Sequence, residues 1–355
     1  MHLDLATLEP IHVGPTNCFV IDTGDGLLLI DTGINADQFW HTLVDGLHAR
    51  GYQPKDVRWV LLTHAHNDHC GLASRMKDAS GAQVLIHQQE VQFLRQGGMH
   101  ARVNRELYVQ LFLQHGTPHE LVDWFLRAND AGWARDWRTE PRIFDPAPDY
   151  RVRTELIGEV EPPADRADRW EGAPMEPDTV FGDGELLAFG DVQLQALHTP
   201  GHTPGHCSFY HEASQVMFTG DHVLRRITPN PGLFFIDNDI NNRTRSVPDF
   251  MRSLARLRAF TTRRVFGAHE GAMDDLQAAL DRLMNHHEDR AAAALRAVQD
   301  ARDTTFLVMP FLFPNLRRNG LFAAMGETLG HLDLLEDRAQ VAAGEADGLI
   351  RYQPV

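Results

Sequence analysis

Apolar residues in the first ninety positions come in short bursts separated by turn formers. "NCFVIDTGDGLLLIDTG" (17–33) carries two bursts around "DTGDG", a turn tolerant of positive φ, and predicts two strands. "ADQFWHTLVDGLHARG" (36–51) switches to helical spacing and stops at Gly51. "VRWVLLT" (57–63) is an unbroken apolar run of strand length, followed by a short helix in "GLASRMKDASG" and a strand in "AQVLIH" (82–87). This alternation of strand and helix argues for a layered α/β fold.

From about 89 to 150 the period turns helical ("EVQFLRQ", "NRELYVQLFLQHG", "HELVDWFLRAND"), which predicts an inserted helical region. Residues 160–178 are a Pro- and acid-rich loop. Strands return with "TVFGDGELLAFGDVQLQALHTPGH", "CSFYHEASQVMFTGDH" and "RRVFGAH". After 275, "DDLQAALDRLMNHHEDRAAAALRAVQDARD" and "FAAMGETLGHLDLLEDRAQVAAG" predict a small helical C-terminal domain. The expected division is therefore 1–275, with the insertion inside it, and 276–355.

Composition narrows the function. The chain has 355 residues, 43% of them hydrophobic, enough for a large core. A formal net charge of -16 disfavours broad phosphate-backbone binding, so nucleic acid is not the expected partner and a small-molecule substrate is. Cys18, Cys70 and Cys207 lack framework spacing, which points to a reducing cytosol. The start "MHLDLATLEPIHVG" lacks the basic head and apolar run of a secretory signal, and no segment offers the roughly 18 apolar residues of a membrane span. Cytoplasmic residence is expected.

The twenty histidines change the picture most, because many follow apolar runs. In "LLTHAHNDHCG" (61–71), His64 and His66 lie two apart at a strand end and can project to one side. Asp68 and His69 follow as the chain turns into a helix. Downstream, "LQALHTPGHTPGH" presents His202 after a strand, "VMFTGDH" ends in Asp221 and "RRVFGAHE" ends in His269. Four separate strands thus end in a metal-capable residue, the ordering that one site built from distant segments requires.

These motifs carry a resemblance. "IDTG" (30–33), "HAHNDH" (64–69), "GHTPGH" (201–206), "TGD" (219–221) and "GAHE" (267–270) resemble, in order, those of the metallo-β-lactamase fold hydrolases, over roughly residues 10–275. The resemblance implies a four-layer αβ/βα sandwich with a metal pair at one edge. It places His64, His66 and His202 on one metal and Asp68, His69 and His269 on the other. Asp221 bridges them and Asp31 buttresses the ligand loops. The C-terminal helices resemble the small winged-helix-like appendage of one branch of the family, the glyoxalase II-like and β-lactamase-like protein 2-like branch. "GAHE" departs from the commoner G-H-G and leaves Ala268 and Glu270 without a role.

The expected reaction is hydrolysis of a small ester, thioester or lactone by a hydroxide held between two divalent metals, with Asp68 orienting water or taking up its proton. No G-x-S-x-G elbow points to a serine nucleophile. Zinc is the default metal, although manganese and iron accept the same ligands. A nuclease is the alternative; an iron-dependent oxygenase and a DNA-binding regulator fit less well. His206 reads as a supporting histidine, and His198, His222 and Cys70 as loop or core residues. In the insertion His100, Arg102, Tyr108 and His115 are either pocket lining or ordinary helix residues. Arg225 and Arg226 are either an anion-binding pair or a solvated loop. A homodimer is expected from the C-terminal helices.

Overall fold

The computed structural model describes residues 10–98, 105–122, 172–317 and 320–355. It divides the chain into two compact units of interleaved segments. The first comprises Met1–His100, Asp168–Pro229 and Arg252–Leu283; the second comprises Ala101–Ala167, Asn230–Met251 and Met284–Val355. A cut at 275 falls inside the first unit, near its end, and the segment 101–167 groups with the C-terminal helices.

Two sheets make up the centre of the first unit. One has the order β1 (Ile11–Val13), β2 (Thr16–Asp22), β3 (Leu27–Ile30), β4 (Val57–Leu61), β5 (Gln83–His87) and β6 (Thr179–Phe181). Its first two pairings are antiparallel and the rest parallel. The other has the order β11 (Arg264–Gly267), β10 (Val216–Gly220), β9 (Cys207–His211), β8 (Val192–His198) and β7 (Leu186–Phe189). All are antiparallel pairs except β10 with β11.

Strands covered on both faces read as continuous apolar runs. β3 and β9 are buried at every position. Inner faces of the two sheets share one core, with Phe19, Ile30, Leu61 and Leu85 on one side and Leu194, Phe209, Phe218 and Phe266 on the other. Phe19, Phe218 and Phe266 form a triangle with ring centroids 5.1, 5.3 and 5.6 Å apart. Burial of each such ring contributes roughly 1.5–3 kcal/mol.

Helices complete the layers. α1 (Asp37–His48) buries Leu43 and Leu47, one turn apart, and packs on β1. α2 (Asn67–Cys70) and α3 (Ala73–Ser80) follow β4, and α3 packs on β4 and β5. α4 (Val91–Leu94) follows β5. Beyond the second sheet, Ser253 donates to the Pro200 carbonyl (2.9 Å), Arg256 to the His198 carbonyl (3.1 Å) and Tyr210 to the Thr261 carbonyl (2.8 Å). The result is the α/β sandwich expected from the sequence.

Described elements of the second unit include α5 (Arg105–Gln114) and parts of α6 (Ser246–Leu257) and α7 (Leu276–Gln299), with α8 (Thr305–Leu312) and α9 (Leu321–Asp337) complete. A bidentate Arg243–Asp333 pair at 2.6 and 2.7 Å ties α9 to the segment before α6. The helical C-terminus expected from the sequence also carries a pair of strands. The helix ends at Asp337, Ala339 takes φ 53°, and a hairpin follows, β12 (Val341–Ala346) and β13 (Leu349–Pro354). Asp347 and Gly348, at φ 54° and 74°, form its two-residue turn, as Asp-Gly favours. Periodicity hid this, because "AQVAAG" continues a helix-like composition past the break.

Candidate metal centre

Every segment of the site is a strand end. β4 runs through Leu62 and Thr63 to His64; His66 precedes α2, which carries Asp68 and His69. β8 leads into the Gly/Pro turn holding His202, β10 ends beside Asp221, and β11 ends two residues before His269. Parallel pairing of β10 with β11 brings the last two together.

His64 Nε2 lies 2.8 Å from His66 Nδ1, which lies 3.0 Å from His202 Nε2. Asp221 Oδ2 is 3.4 Å from His202 Nε2 and 3.5 Å from His69 Nε2, and Asp221 Oδ1 is 3.2 Å from His269 Nε2. Asp68 Oδ2 is 3.6 Å from both His69 Nε2 and His269 Nε2. His64, His66 and His202 therefore make one cluster, Asp68, His69 and His269 a second, and Asp221 faces both. The arrangement joins all seven residues expected from the sequence.

The electrostatics bear on what this cluster can hold. His69 Nε2 is buried and makes no hydrogen bond. Burial alone would keep that ring neutral, but Asp221, Asp68 and Asp31 outweigh it and hold its pKa well above the ordinary imidazole value. Burial also opposes ionisation of Asp221, yet His69, His269 and His202 hold its carboxyl well below the usual range. His66 is pushed down to about 3 by burial and by His202. Imidazoles beside ionised carboxylates, with the buried His69 Nε2 making no hydrogen bond, form a donor set that fits a divalent metal.

Supporting groups fix each ligand. Asp31, at φ 57°, accepts from the Thr63 amide (2.9 Å) and hydroxyl (2.9 Å) and pairs with His69 Nδ1 (2.9 Å). A non-glycine residue held in the left-handed region signals a demand of this kind. Thr63 Oγ1 also meets His64 Nδ1 at 3.0 Å. His206 Nε2 accepts from the Asp221 amide (3.1 Å), and its Nδ1 meets Thr199 Oγ1 at 2.9 Å. His269 Nδ1 donates to the Pro15 carbonyl at 2.7 Å. Such partners hold the ligating nitrogen's lone pair towards the centre.

Several contributors escaped the sequence reading. Glu90, fully buried in "HQQE", accepts from the Ala65 amide (2.9 Å) and the Gly205 amide (2.6 Å), clamping the loop of His64 and His66 to that of His202. Its pKa rises to about 6 through burial, which the two amides oppose. Thr16 donates to Asp68 Oδ2 at 3.2 Å. Asn17 donates to the Gly267 and Glu270 carbonyls, and its own amide to the Ala268 carbonyl. Ala268 and Glu270 thereby gain roles. Ala268 links β11 to β2 and, through its amide, to the Gly220 carbonyl; the Glu270 carboxylate accepts from the Arg226 and Ile227 amides. None of these carries a metal-ligand signature in sequence.

Arg225 is exposed, and Arg226 pairs with Glu270 at 3.3 Å. Tyr108 is a core residue of the second unit, its hydroxyl donating to the Leu233 carbonyl (2.8 Å) and its pKa raised by burial, so its polar atom is already committed. His115 is likewise buried there against Thr305. Arg102 and His100 lie outside the described residues. His198 donates to the Pro204 carbonyl, and Cys70 is buried against the Ala65 carbonyl.

Comparison with known proteins follows the same lines. The sequence profile of the Metallo-beta-lactamase superfamily matches residues 12–293. The chain belongs to this family. Over 327 residues this superfamily member is 26% identical to the "Probable metallo-hydrolase YqjP" of Bacillus subtilis (strain 168), covering 92% of this chain and 89% of that protein. Over 291 residues it is 25% identical to the "Atrochrysone carboxyl ACP thioesterase dmxR1" of Cryptosporiopsis sp. (strain 8999), covering 81% of this chain and 59% of that protein. The crystal structure of metallo-beta-lactamase family protein TTHA1429 from Thermus thermophilus superposes with a TM-score of 0.70 at 27% identity, covering 98% of this chain and 97% of that one. The protein is a metallo-beta-lactamase fold hydrolase. Among the described residues no helix is long and apolar enough to cross a membrane.

Proposed function

We propose that the protein is a two-metal hydrolase, zinc-loaded by default, acting on a small thioester, ester or lactone. The observation that carries this reading is the pair of three-residue clusters facing one shared carboxylate, Asp221. His64, His66 and His202 would hold one metal and Asp68, His69 and His269 the other. Two such metals, when bound, would lower the pKa of bound water towards neutrality and polarise the acyl oxygen.

The chain's own groups do the rest. Thr16 fixes one oxygen of Asp68, whose partly exposed carboxylate is placed to accept a proton from the attacking water and return it to the leaving group. Asp31 and His206 keep His69 and Asp221 in place while charge develops. No thiol competes as nucleophile: Cys18, Cys70 and Cys207 are buried, and burial raises the pKa of each. Hydrolysis therefore proceeds without a covalent enzyme intermediate. Among substrates, the thioester is favoured by the fungal acyl-carrier-protein thioesterase relative.

The test is metal analysis of the purified protein, then turnover of acyl thioester, lactone, ester, phosphodiester and β-lactam substrates on the same sample. At least two zinc ions per chain with preferred acyl turnover support the reading. A single iron per chain, or preferred phosphodiester cleavage, overturns it.

A further inference from the structure

The second unit holds another group of metal-capable side chains that the hydrolase centre does not use. His287 lies on α7, and Glu327 and His331 lie one turn apart on α9, on the same face. His287 and His331 are fully buried, and Glu327 is 8% exposed. Each offers one ligand atom, all within 4.8 Å of one another.

We propose that His287, Glu327 and His331 form a structural zinc site that pins α7 to α9. Three features support it. First, His331 Nδ1 donates to the Glu327 carbonyl at 2.7 Å, which fixes the tautomer and leaves the Nε2 lone pair directed at His287. The same backbone anchor is typical of zinc-bound imidazole. Second, His331 Nε2 lies 3.3 Å from His287 Nδ1. Two nitrogens on a tetrahedral zinc at about 2.0–2.1 Å are separated by about 3.3–3.4 Å, so the gap already has the right width. Third, Glu327 Oε1 is buried and accepts no hydrogen bond. Arg290 Nε approaches it to 3.2 Å but spends its hydrogen on His286 Nε2 at 2.9 Å, while Arg290 Nη1 donates to the Leu312 carbonyl.

A buried carboxylate oxygen with no donor is costly, and a cation between it and two imidazoles removes the cost. Phe250 packs its ring against His287, with centroids 5.2 Å apart, giving the site a dry wall. Two imidazoles and one carboxylate select zinc over magnesium or calcium. Arg290 offsets part of the Glu327 charge, so the site binds more weakly than one with an unpaired carboxylate.

The experiment uses the full chain, stripped with chelator, reloaded with Zn(II), dialysed and analysed for metal per chain. A His69→Ala/His202→Ala variant, which takes a ligand from every histidine and carboxylate group of the hydrolase centre, is expected to keep one zinc. Adding Glu327→Gln, which preserves side-chain shape, is expected to remove it. Retention of zinc after Glu327→Gln, or no zinc in the double variant, overturns the proposal. Because buried substitutions can prevent folding, the unaltered zinc-loaded protein is also crystallised for anomalous scattering at the zinc edge. A peak enclosed by His287, Glu327 and His331 supports the site, and its absence overturns it. Failure of the two-metal hydrolase reading would show instead as no peak at Asp221, whichever result appears at Glu327.

Discussion

Glu90 supplies the sharpest test of how the ligand loops are held, because stability and metal affinity should separate on its replacement. In Glu90→Gln one carboxylate oxygen becomes an amide nitrogen facing a backbone donor, either Ala65 or Gly205. Leaving one buried N–H without an acceptor costs about 1–3 kcal/mol. The same change removes a buried charge whose pKa has risen from 4.5 to about 6, a penalty of about 2 kcal/mol at pH 7. The two nearly cancel, so the metal-free variant should melt within a few degrees of wild type. Metal affinity should not be spared. The clamp sets the spacing between His64, His66 and His202, and loss of such partners typically weakens metal binding about 10–100-fold. Chelator competition is the assay, with thermal melts alongside and Glu90→Ala, which orphans both amides, as the destabilised comparison. Wild-type zinc affinity in a well-folded Glu90→Gln would refute the reasoning.

Three further outcomes follow from the geometry. Asp221→Asn removes the one carboxylate shared by both clusters and should lower zinc affinity at both positions and kcat/KM by at least about 100-fold, read by metal analysis and thioester turnover. In Gly220→Ala the added Cβ would sit 2.5 Å from His206 Nε2, at φ 49°, so it should displace His206 and weaken metal binding, measured by chelator competition, even where the fold survives. The raised His69 pKa gives the metal-free protein a stability contribution that is complete below the unfolded value of about 6.5 and is lost as pH rises through the higher folded value. Chelator-treated protein should therefore lose melting temperature from neutral to alkaline pH while zinc-loaded protein does not. Parallel curves would count against a metal taking the proton's place.

The metal ligands were legible because each combines two local signals, a metal-capable side chain and a strand end, and the strands needed only their apolar runs to be placed. What brings them together was not legible. Glu90 and Asn17 act through backbone groups of residues 25 and 250 positions away, Thr63 donates to the Asp31 carboxylate 32 positions away, and nothing in a single sequence distinguishes such a glutamate or asparagine from a solvated one. The hairpin at 341–354 shows a different limit: its Asp347-Gly348 turn was present to be read, but the helix before it shared the composition of its first strand. The two clusters of histidine and carboxylate illustrate both points. Around Asp221 the ligands come from four strand ends and declare themselves by motif. Around Glu327 they come from two helices, where a histidine one turn from a glutamate looks like any amphipathic helix. Only burial, a fixed tautomer and a carboxylate oxygen without a donor set it apart. Chemistry at strand ends can thus be read from sequence order, whereas chemistry between packed helices becomes visible only when its unpaired atoms are counted.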